Sequence, residues 1–440
     1  MDEHCRVIAD GAIAIAGDLI VAVGPSETID AKFDAANKID GRHFVITPGL
    51  VNGHIHVTGD PLTRAWLPDD IDCDFREELE RWVIPRFLAH DPDDECVSAE
   101  LAALKMLKSG TTSFLEAGTV RYLDKVVEGA DRTGIRGRVG TWVEGRAFDD
   151  SKDRTRLNEN AIQLLEDEVA QFPGGNHARI AAWPILIGHS MSTDEVWKAA
   201  KSIADENGLG VSAHMSPYRS DPDWFIETFG RRPIEHLAEI GVLGDNVCLT
   251  HLAYIDESEQ AILAETGTNA VLCPLAALKG AFGISSVGRF PEMATAGINL
   301  MLGSDGFDSD MLRQAQLTSG LFKDARQDIT VFPAESILAM LTINGAKGLC
   351  LSDEIGSLEA GKKADFVCHD TDRPEWQPML DAVNQLMWLA DGRSVHSVWV
   401  DGVRVIDDYR STMIDEKELY ARARTASKNI IERTDLPPFN

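Results

Sequence analysis

The sequence has few cysteines and no two of them in a CxxC spacing. The seven cysteines are scattered over 440 residues, at positions 5, 73, 96, 248, 273, 350 and 368. An odd number of dispersed cysteines argues against a disulfide framework and against a cysteine-based zinc cluster. We therefore expect reduced thiols and a cytoplasmic location.

Basic charge and long apolar runs are also lacking. The chain carries 71 acidic against 42 basic residues, a formal net charge of −29. A surface of this sign repels phosphate backbones, which argues against a nucleic-acid partner. The most apolar early stretch, 12–23, is interrupted by Gly17 and Asp18 and is too short to span a bilayer. No cleavable signal peptide is recognisable, and we expect no membrane partner.

From residue 44 onward, short apolar runs alternate with helix-like segments, which is typical of repeated βα units. Eight such strands are predicted, at 44–56, 110–118, 135–145, 178–189, 208–215, 247–254, 269–274 and 298–306. Eight strands favour a closed barrel, and no Gly-rich phosphate fingerprint follows the first strand. The sequence predicts an α/β protein with a (β/α)8 TIM barrel over residues 47–355.

Both ends of the chain have β character. Turn signals at Gly17 and at Asp401-Gly402 lie between apolar runs, so we expect a composite β-sandwich of residues 1–46 and 356–407. Residues 408–440 should form a C-terminal helix and tail. The segment 57–92 is too long for an ordinary βα loop and is interpreted as a lid over the barrel mouth. A helix pair packed on the barrel surface is the alternative.

Ligand-type side chains follow several predicted barrel strands. His54 and His56 lie two residues apart on strand one, so both imidazoles point the same way. His214, His251 and Asp305 end strands five, six and eight. Because a TIM barrel assembles its active site at the carboxyl ends of its strands, these five residues should converge. We predict one metal ion held by His54, His56, His214 and Asp305, with His251 beside it.

The predicted ligands suit Zn²⁺ best, and also Co²⁺, Fe²⁺ or Mn²⁺. Three imidazoles and a carboxylate leave a position for water, which the cation makes acidic enough to react near neutral pH. Asp305 can take the proton and return it to a leaving group. His189, at the end of strand four, either contacts the substrate or packs in the structure.

Four segments together resemble the amidohydrolase superfamily. Residues 46–56 are similar to its metal-binding signature, 302–306 to its strand-eight motif, and 342–347 with 355–366 to its return into a sandwich. Strand four lacks the lysine that bridges two metals in binuclear members, which implies a mononuclear site. That branch includes cytosine, guanine and S-adenosylhomocysteine deaminases, triazine hydrolases, and certain urea and thiocarbamate hydrolases.

One departure from this resemblance bears on the substrate. Deaminases of the branch carry glutamate three residues after the strand-five histidine, and that glutamate protonates a ring nitrogen. Here the position is Pro217, which has no acid to offer. Heterocycle deamination is disfavoured unless Glu116 or Glu144 reaches in. With Tyr218 next, the pattern is similar to that of phenylurea and molinate hydrolases. This resemblance implies that Tyr218 donates a proton or polarises a carbonyl. A packing role for Tyr218 is the alternative.

We therefore expect hydrolysis of an amide, urea, carbamate or thiocarbamate bond in a small, largely apolar molecule by a metal-bound hydroxide. His251 would stabilise the oxyanion and Asp305 would transfer the proton. Apolar walls are expected from four tryptophans, namely Trp66, Trp82, Trp142 and Trp224.

Two other functions stay open at this point. One is an aminohydrolase or dechlorinase acting on a pyrimidine, purine or triazine, and the other is a metal-binding scaffold with a decayed site. The resemblance also implies a homo-oligomer of even order.

Overall fold

The computed structural model describes residues 6–63, 79–143, 145 and 154–434. Within this part of the chain the strands are β1 Gly11–Ala16, β2 Leu19–Pro25, β3 Phe44–Pro48, β4 Leu50–Ile55, β5 Thr111–Glu116, β6 Arg136–Val139, β7 Ile180–Ala182, β8 Ile185–Gly188, β9 Val211–Met215, β10 Val247–His251, β11 Asn269–Leu272, β12 Leu300–Leu302, β13 Phe366–Asp370, β14 Val395–Val400, β15 Val403–Asp407 and β16 Arg410–Ser411.

Helices follow most of the barrel strands. The α-helices are Ser26–Lys32, Ile84–Leu88, Pro92–Lys108, Leu123–Thr133, Arg154–Gln171, Asp194–Asn207, Ser220–Phe229, Pro233–Glu239, Glu257–Thr266, Pro274–Lys279, Ile284–Val287, Phe290–Thr295, Met311–Arg326, Ala334–Leu341, Ile343–Gly348, Ala382–Trp388 and Glu416–Arg433. A π-helical turn covers Leu79–Val83. Among the described residues, no helix has both the length and the apolar character that crossing a bilayer requires.

The barrel consists of two parallel sheets, β4-β5-β6-β7 and β8-β9-β10-β11-β12. A parallel bridge between Ile55 and Asp305 closes one seam, and a bridge between Val143 and Leu186 closes the other. Strand four is divided into β7 and β8 at Trp183-Pro184, because proline has no N–H to give to a neighbouring strand. The eight predicted strands are present, and the predicted fold class is confirmed.

The first predicted run, 44–56, is two strands rather than one. β3 pairs antiparallel with β13 in the sandwich, whereas β4 pairs parallel with β5 in the barrel. The chain changes sheet at Gly49, where a Cβ would lie 2.0 Å from the Thr112 hydroxyl oxygen. Only glycine fits there, so the break is built into the sequence.

Both ends of the chain contribute to a β-rich layer beside the barrel. β3 joins the sheet β16-β15-β14-β13-β3, and the β1-β2 hairpin attaches through a hydrogen bond from the Ile20 amide to the Lys362 carbonyl, 2.8 Å. Phe366 and Trp399 stack with centroids 4.6 Å apart in the small core between them. The sheet extends past the predicted limits, to Pro48 and Ser411. The domain boundaries themselves stay a prediction.

The predicted lid segment is described at both of its ends. Residues 57–63 form a largely buried loop, and the helix Ile84–Leu88 lies at the other end. The buried Arg86 donates to the Trp82 carbonyl at 2.8 Å and to the Thr63 hydroxyl at 3.5 Å, which ties the two ends together. The middle of the segment, with Trp66, lies outside the described residues.

Candidate metal centre

Three imidazoles meet at the carboxyl ends of strands β4, β9 and β10. His54, His214 and His251 each bring a ring nitrogen within 4.8 Å of the other two. The His54 and His214 rings lie edge to face at 4.7 Å, and the His251 ring is 5.5 Å from that of His214. All three side chains are buried.

Asp305 and His56 complete the cluster. The Asp305 carboxylate lies 3.2 Å from Nε2 of His56 and 3.9 Å from Nε2 of His251. The His56 ring stacks at 5.7 Å from that of His214. All five residues singled out from the sequence therefore lie together, although the most compact trio of imidazoles contains His251 in place of His56. Which of them bind the metal stays a prediction.

The seam between strands one and eight positions two of these side chains. Asn52 is fully buried; its amide nitrogen donates to the Ser304 hydroxyl at 2.7 Å, and its oxygen accepts from the amides of Ser304 and His54 at 3.0 and 3.3 Å. The Asp305 amide donates to the His54 carbonyl at 2.9 Å. A Cβ on Gly303 would lie 2.7 Å from that of His54, so glycine allows the strands to approach.

Backbone strain is concentrated at the same end of the barrel. His189, Ser216, His251 and Asp305 have φ values of 48°, 52°, 83° and 58°. Non-glycine residues rarely adopt positive φ, and each such residue costs about 1–3 kcal/mol. Strained backbone positions cluster at functional sites, where the backbone fixes the direction of a side chain. The four residues here all lie at or just after the carboxyl ends of barrel strands.

Burial sets the charge of the three central imidazoles. It lowers the pKa of His54 and His214 well below the usual range and that of His251 to about 4. For His56 burial also acts downward, but the hydrogen bond and charge of Asp305 raise the pKa to about 9. Conversely, His56 holds the pKa of the buried Asp305 well below its usual value. At neutral pH the cluster thus offers three neutral imidazoles, while the fourth, His56, is cationic and paired with the ionised Asp305.

This donor set fits a divalent transition-metal ion. Nε2 of His54 is buried and has no hydrogen-bond partner among the described residues. His214 donates through Nδ1 to the Ile187 carbonyl at 3.0 Å, so its Nε2 carries a lone pair. A buried acceptor nitrogen is costly to leave unpaired, and a cation would satisfy it. Imidazole and carboxylate together suit Zn²⁺ and its first-row neighbours.

Two further predicted residues have defined hydrogen bonds. His189 faces Asp221, with Nδ1 2.9 Å from Oδ2, and its ring stacks 5.7 Å from that of His214. Asp221 also accepts from the Ser216 amide at 2.7 Å, so it ties strand four to the turn after strand five. Glu116 is fully buried and accepts from the backbone amides of residues 57 and 118, at 3.3 and 2.7 Å. Burial raises its pKa to about 7.

Aromatic side chains flank the cluster on two sides. Trp142 lies 6.4 Å from His56 and 6.1 Å from His214, and Phe87 packs edge to face against it at 6.1 Å. On the other side, Phe282 packs against His251 at 5.4 Å.

The remaining predicted aromatics lie at different distances from the cluster. Tyr218 packs against Phe282 at 4.7 Å, one layer out. Trp224 packs against Phe225 and Phe229 of its own helix. Trp82 is buried beside Arg81. A substrate-binding role for Trp82 and Trp224 stays a prediction.

Sequence reasoning missed Cys273 and Phe282. Cys273 ends strand seven and forms a second compact ligand group with His54 and Asp305. Its place at a strand end was a usable signal, because the other cluster residues hold equivalent places. Phe282 follows the short helix Pro274–Lys279, and nothing in the sequence pattern indicates that the chain turns back toward His251 there.

Sequence comparison gives the family of the chain. The profile described as the amidohydrolase family matches residues 45–405. A 5-methylthioadenosine/S-adenosylhomocysteine deaminase of Syntrophobacter fumaroxidans is 30% identical over 98% of this chain and 96% of its own length. The enzyme of the same name from Moorella thermoacetica is 31% identical over 94% of each chain. A 5′-deoxyadenosine deaminase of Methanosarcina acetivorans is 29% identical over 99% of this chain and 97% of its own.

Solved structures agree on the architecture. An adenosine deaminase from Xanthomonas campestris with bound zinc superposes with a TM-score of 0.87 at 26% identity, covering 97% of this chain and 95% of that one. A mutant atrazine chlorohydrolase from Arthrobacter aurescens, complexed with zinc and atraton, gives a TM-score of 0.85 at 22% identity and 97% coverage of both chains. The family match over most of the chain, together with these relatives, shows that this protein belongs to the amidohydrolase family.

Proposed function

We propose that this protein is a metal-dependent aminohydrolase that acts on an N-heterocycle of the purine type. The observation that carries the proposal is the full-length similarity to deaminases of adenine nucleosides, at about 30% identity. This favours the alternative derived from the sequence over the expected amide or urea hydrolysis. The resemblance to phenylurea and molinate hydrolases stays a prediction.

The aromatic side chains around the cluster support a flat, ring-shaped substrate. Trp142 lies beside His56 and His214, whereas Phe282 lies beside His251, so rings stand on two sides of the ligand group. Aromatic faces and edges stabilise a planar heterocycle through offset stacking and edge contacts. The Trp142 Nε1 is buried without a partner among the described residues, and it would gain one from a substrate acceptor.

The side chains of the cluster suit hydrolytic displacement of an amino group. A bound cation would supply a water acidic enough to react near neutral pH, and zinc is the ion we propose. Asp305, held ionised by His56, would accept a proton and return it to the departing amine. His251, buried and neutral, would donate a hydrogen bond to the oxygen that adds to the attacked ring carbon.

The second candidate is hydrolysis of an acyclic amide, urea or thiocarbamate. It is favoured by Pro217, which is buried three residues after His214 and provides no acid for a ring nitrogen. Attack on an acyclic carbonyl needs only protonation of the leaving group, which Asp305 can provide. This candidate therefore requires nothing that the described cluster lacks.

A substrate panel with the zinc-loaded protein separates the two reactions. Ammonia release would be measured with adenosine, 5′-deoxyadenosine, 5′-methylthioadenosine, guanine and cytosine, and chloride release with 6-chloropurine riboside. Anilides, phenylureas and thiocarbamates form the second group, with Asp305→Asn as the inactive control for both. Turnover confined to the ring compounds supports the proposal. Turnover confined to the acyclic group overturns it in favour of the second candidate.

A further inference from the structure

The outward edges of three cluster imidazoles are each hydrogen-bonded. Nδ1 of His54 lies 3.0 Å from the Thr250 hydroxyl, and Nδ1 of His214 lies 3.0 Å from the Ile187 carbonyl. Nδ1 of His56 lies 3.1 Å from the hydroxyl of Thr119, which belongs to the loop after strand two. Because Nδ1 and Nε2 occupy opposite edges of the ring, these contacts leave each Nε2 on the side of the cluster.

The proton positions around Thr119 follow from its partners. Its hydroxyl oxygen lies 3.1 Å from the Thr58 carbonyl, which can only accept, and 3.4 Å from the Glu116 carboxylate. A threonine hydroxyl has a single hydrogen, and the Thr58 carbonyl takes it. The Thr119 oxygen therefore accepts from Nδ1 of His56. Nε2, 3.2 Å from the Asp305 carboxylate, is then the ring nitrogen at which a cation would replace a proton.

Glu116 explains why Thr119 stays in place. Its buried carboxylate accepts from the Val57 amide at 3.3 Å and from the Gly118 amide at 2.7 Å. One side chain thus joins the residue after His56 to the residue before Thr119. A Cβ on Gly118, whose φ is 102°, would lie 2.9 Å from Ile185, so this loop also has little space in which to shift.

We propose that Thr119 is a positioning residue for the metal centre, whose hydroxyl fixes the tautomer and the ring orientation of His56 so that Nε2 faces the cation. Glu116 acts behind it by holding the loop. This role differs from the substrate contact expected for Glu116 from the sequence. The inference rests on the proposed metal centre but is independent of the substrate.

Removal of one hydroxyl tests this role. Metal-free protein would be titrated with Zn²⁺ in competition with a chromogenic chelator, for the native chain and for Thr119→Val. Loss of a group that orients a metal-bound histidine weakens metal affinity about 10–100-fold, and we expect a loss in that range. Thr119→Ser, which keeps the hydroxyl, should restore most of the affinity. The visible absorption of the Co²⁺ form should change in the valine variant and remain native in the serine variant.

A matched control lies on the preceding strand. Thr111 is fully buried, and its hydroxyl has no partner among the described residues. Thr111→Val should therefore leave Zn²⁺ affinity within about twofold of the native value. Native affinity in Thr119→Val, or an equal loss in the serine or Thr111 variant, overturns the inference.

Two measurements keep the result interpretable. Metal-free Thr119→Val should still unfold cooperatively, with a free energy of unfolding lowered by no more than the lost hydrogen bonds to Thr58 and His56 contribute. If the valine variant does not fold, Glu116→Gln serves instead and should weaken Zn²⁺ binding less than about tenfold; unchanged binding counts against the inference. Failure of the native chain to bind Zn²⁺ would overturn the metal centre itself, which is a distinct outcome.

Discussion

Asn52 holds together the two barrel strands that carry His54 and Asp305, and the stability lost on its removal can be worked out from its hydrogen bonds. The side chain forms three hydrogen bonds across the seam between strands one and eight, at 2.7, 3.0 and 3.3 Å. Asn52→Leu keeps the volume of the side chain and removes all three. Each buried hydrogen bond contributes about 0.5–1.5 kcal/mol. Because the Ser304 amide keeps its bond to the His54 carbonyl, we expect the free energy of unfolding to fall by about 2–3 kcal/mol.

The same substitution should affect function, because the two strands carry His54 and Asp305. We expect weaker Zn²⁺ binding and lower kcat at temperatures where the variant is still folded. Unfolding would be followed in urea by far-ultraviolet circular dichroism on metal-free protein, and zinc affinity by chelator competition.

A control lies at the opposite end of the barrel. Asn299 donates to the Asn269 side-chain oxygen at 2.8 Å and to the Asn344 carbonyl at 3.0 Å, ahead of strand β12. Asn299→Leu should lower stability by about 1–2 kcal/mol and leave Zn²⁺ affinity unchanged. If Asn52→Leu is as stable as the native chain, or if both variants lose zinc equally, the assigned role of the seam is wrong.

Three further outcomes are expected. Asp305→Asn should lower kcat by about a thousandfold with a native circular dichroism spectrum; a native rate would contradict the proton-transfer role. Trp142→Ala should raise KM for ring substrates about tenfold and Trp142→Phe much less, whereas equal KM values for all three proteins would exclude Trp142 as a wall. Burial lowers the pKa of His369 from 6.5 to about 3, so the unfolded chain alone takes up this proton as pH falls below 6.5. Between pH 6.5 and 5 the free energy of unfolding of the native protein should fall by about 2 kcal/mol, and that of His369→Leu should not show this fall. Equal pH dependence of the two proteins in urea unfolding would refute this assignment.

The fold could be predicted from the sequence because apolar strands and helical segments alternate regularly along the chain. Eight buried runs spaced by helical segments indicate a barrel, and the residue at the end of each run then has a known location. This placed His54, His56, His214, His251 and Asp305 together. The break at Gly49 could not be predicted, because the residues on both sides of it read as one apolar strand. The need for glycine there arises from the packing of Thr112, which only the structure shows.

The surroundings of the cluster were less predictable for a different reason. Thr119 and Phe282 lie in loops, and loop side chains have no periodic pattern that reports their direction. Glu116 was recognised as a strand-end carboxylate, but its engagement by two backbone amides depends on how the following loop folds back. Strand ends therefore predict which residues meet, whereas hydrogen-bond partners require the structure.

Position 217 separates the two candidate reactions more sharply than any part of the fold. The barrel and the ligand cluster serve either chemistry, but protonation of a ring nitrogen needs an acid within hydrogen-bond reach. Pro217 offers none, and Oδ2 of the nearby Asp221 already contacts Nδ1 of His189 at 2.9 Å and accepts from the Ser216 amide at 2.7 Å. A ring substrate that loses chloride needs less proton assistance than one that loses ammonia. Ring chemistry at this site should therefore favour good leaving groups, and a 6-chloropurine should be hydrolysed faster than the corresponding 6-aminopurine.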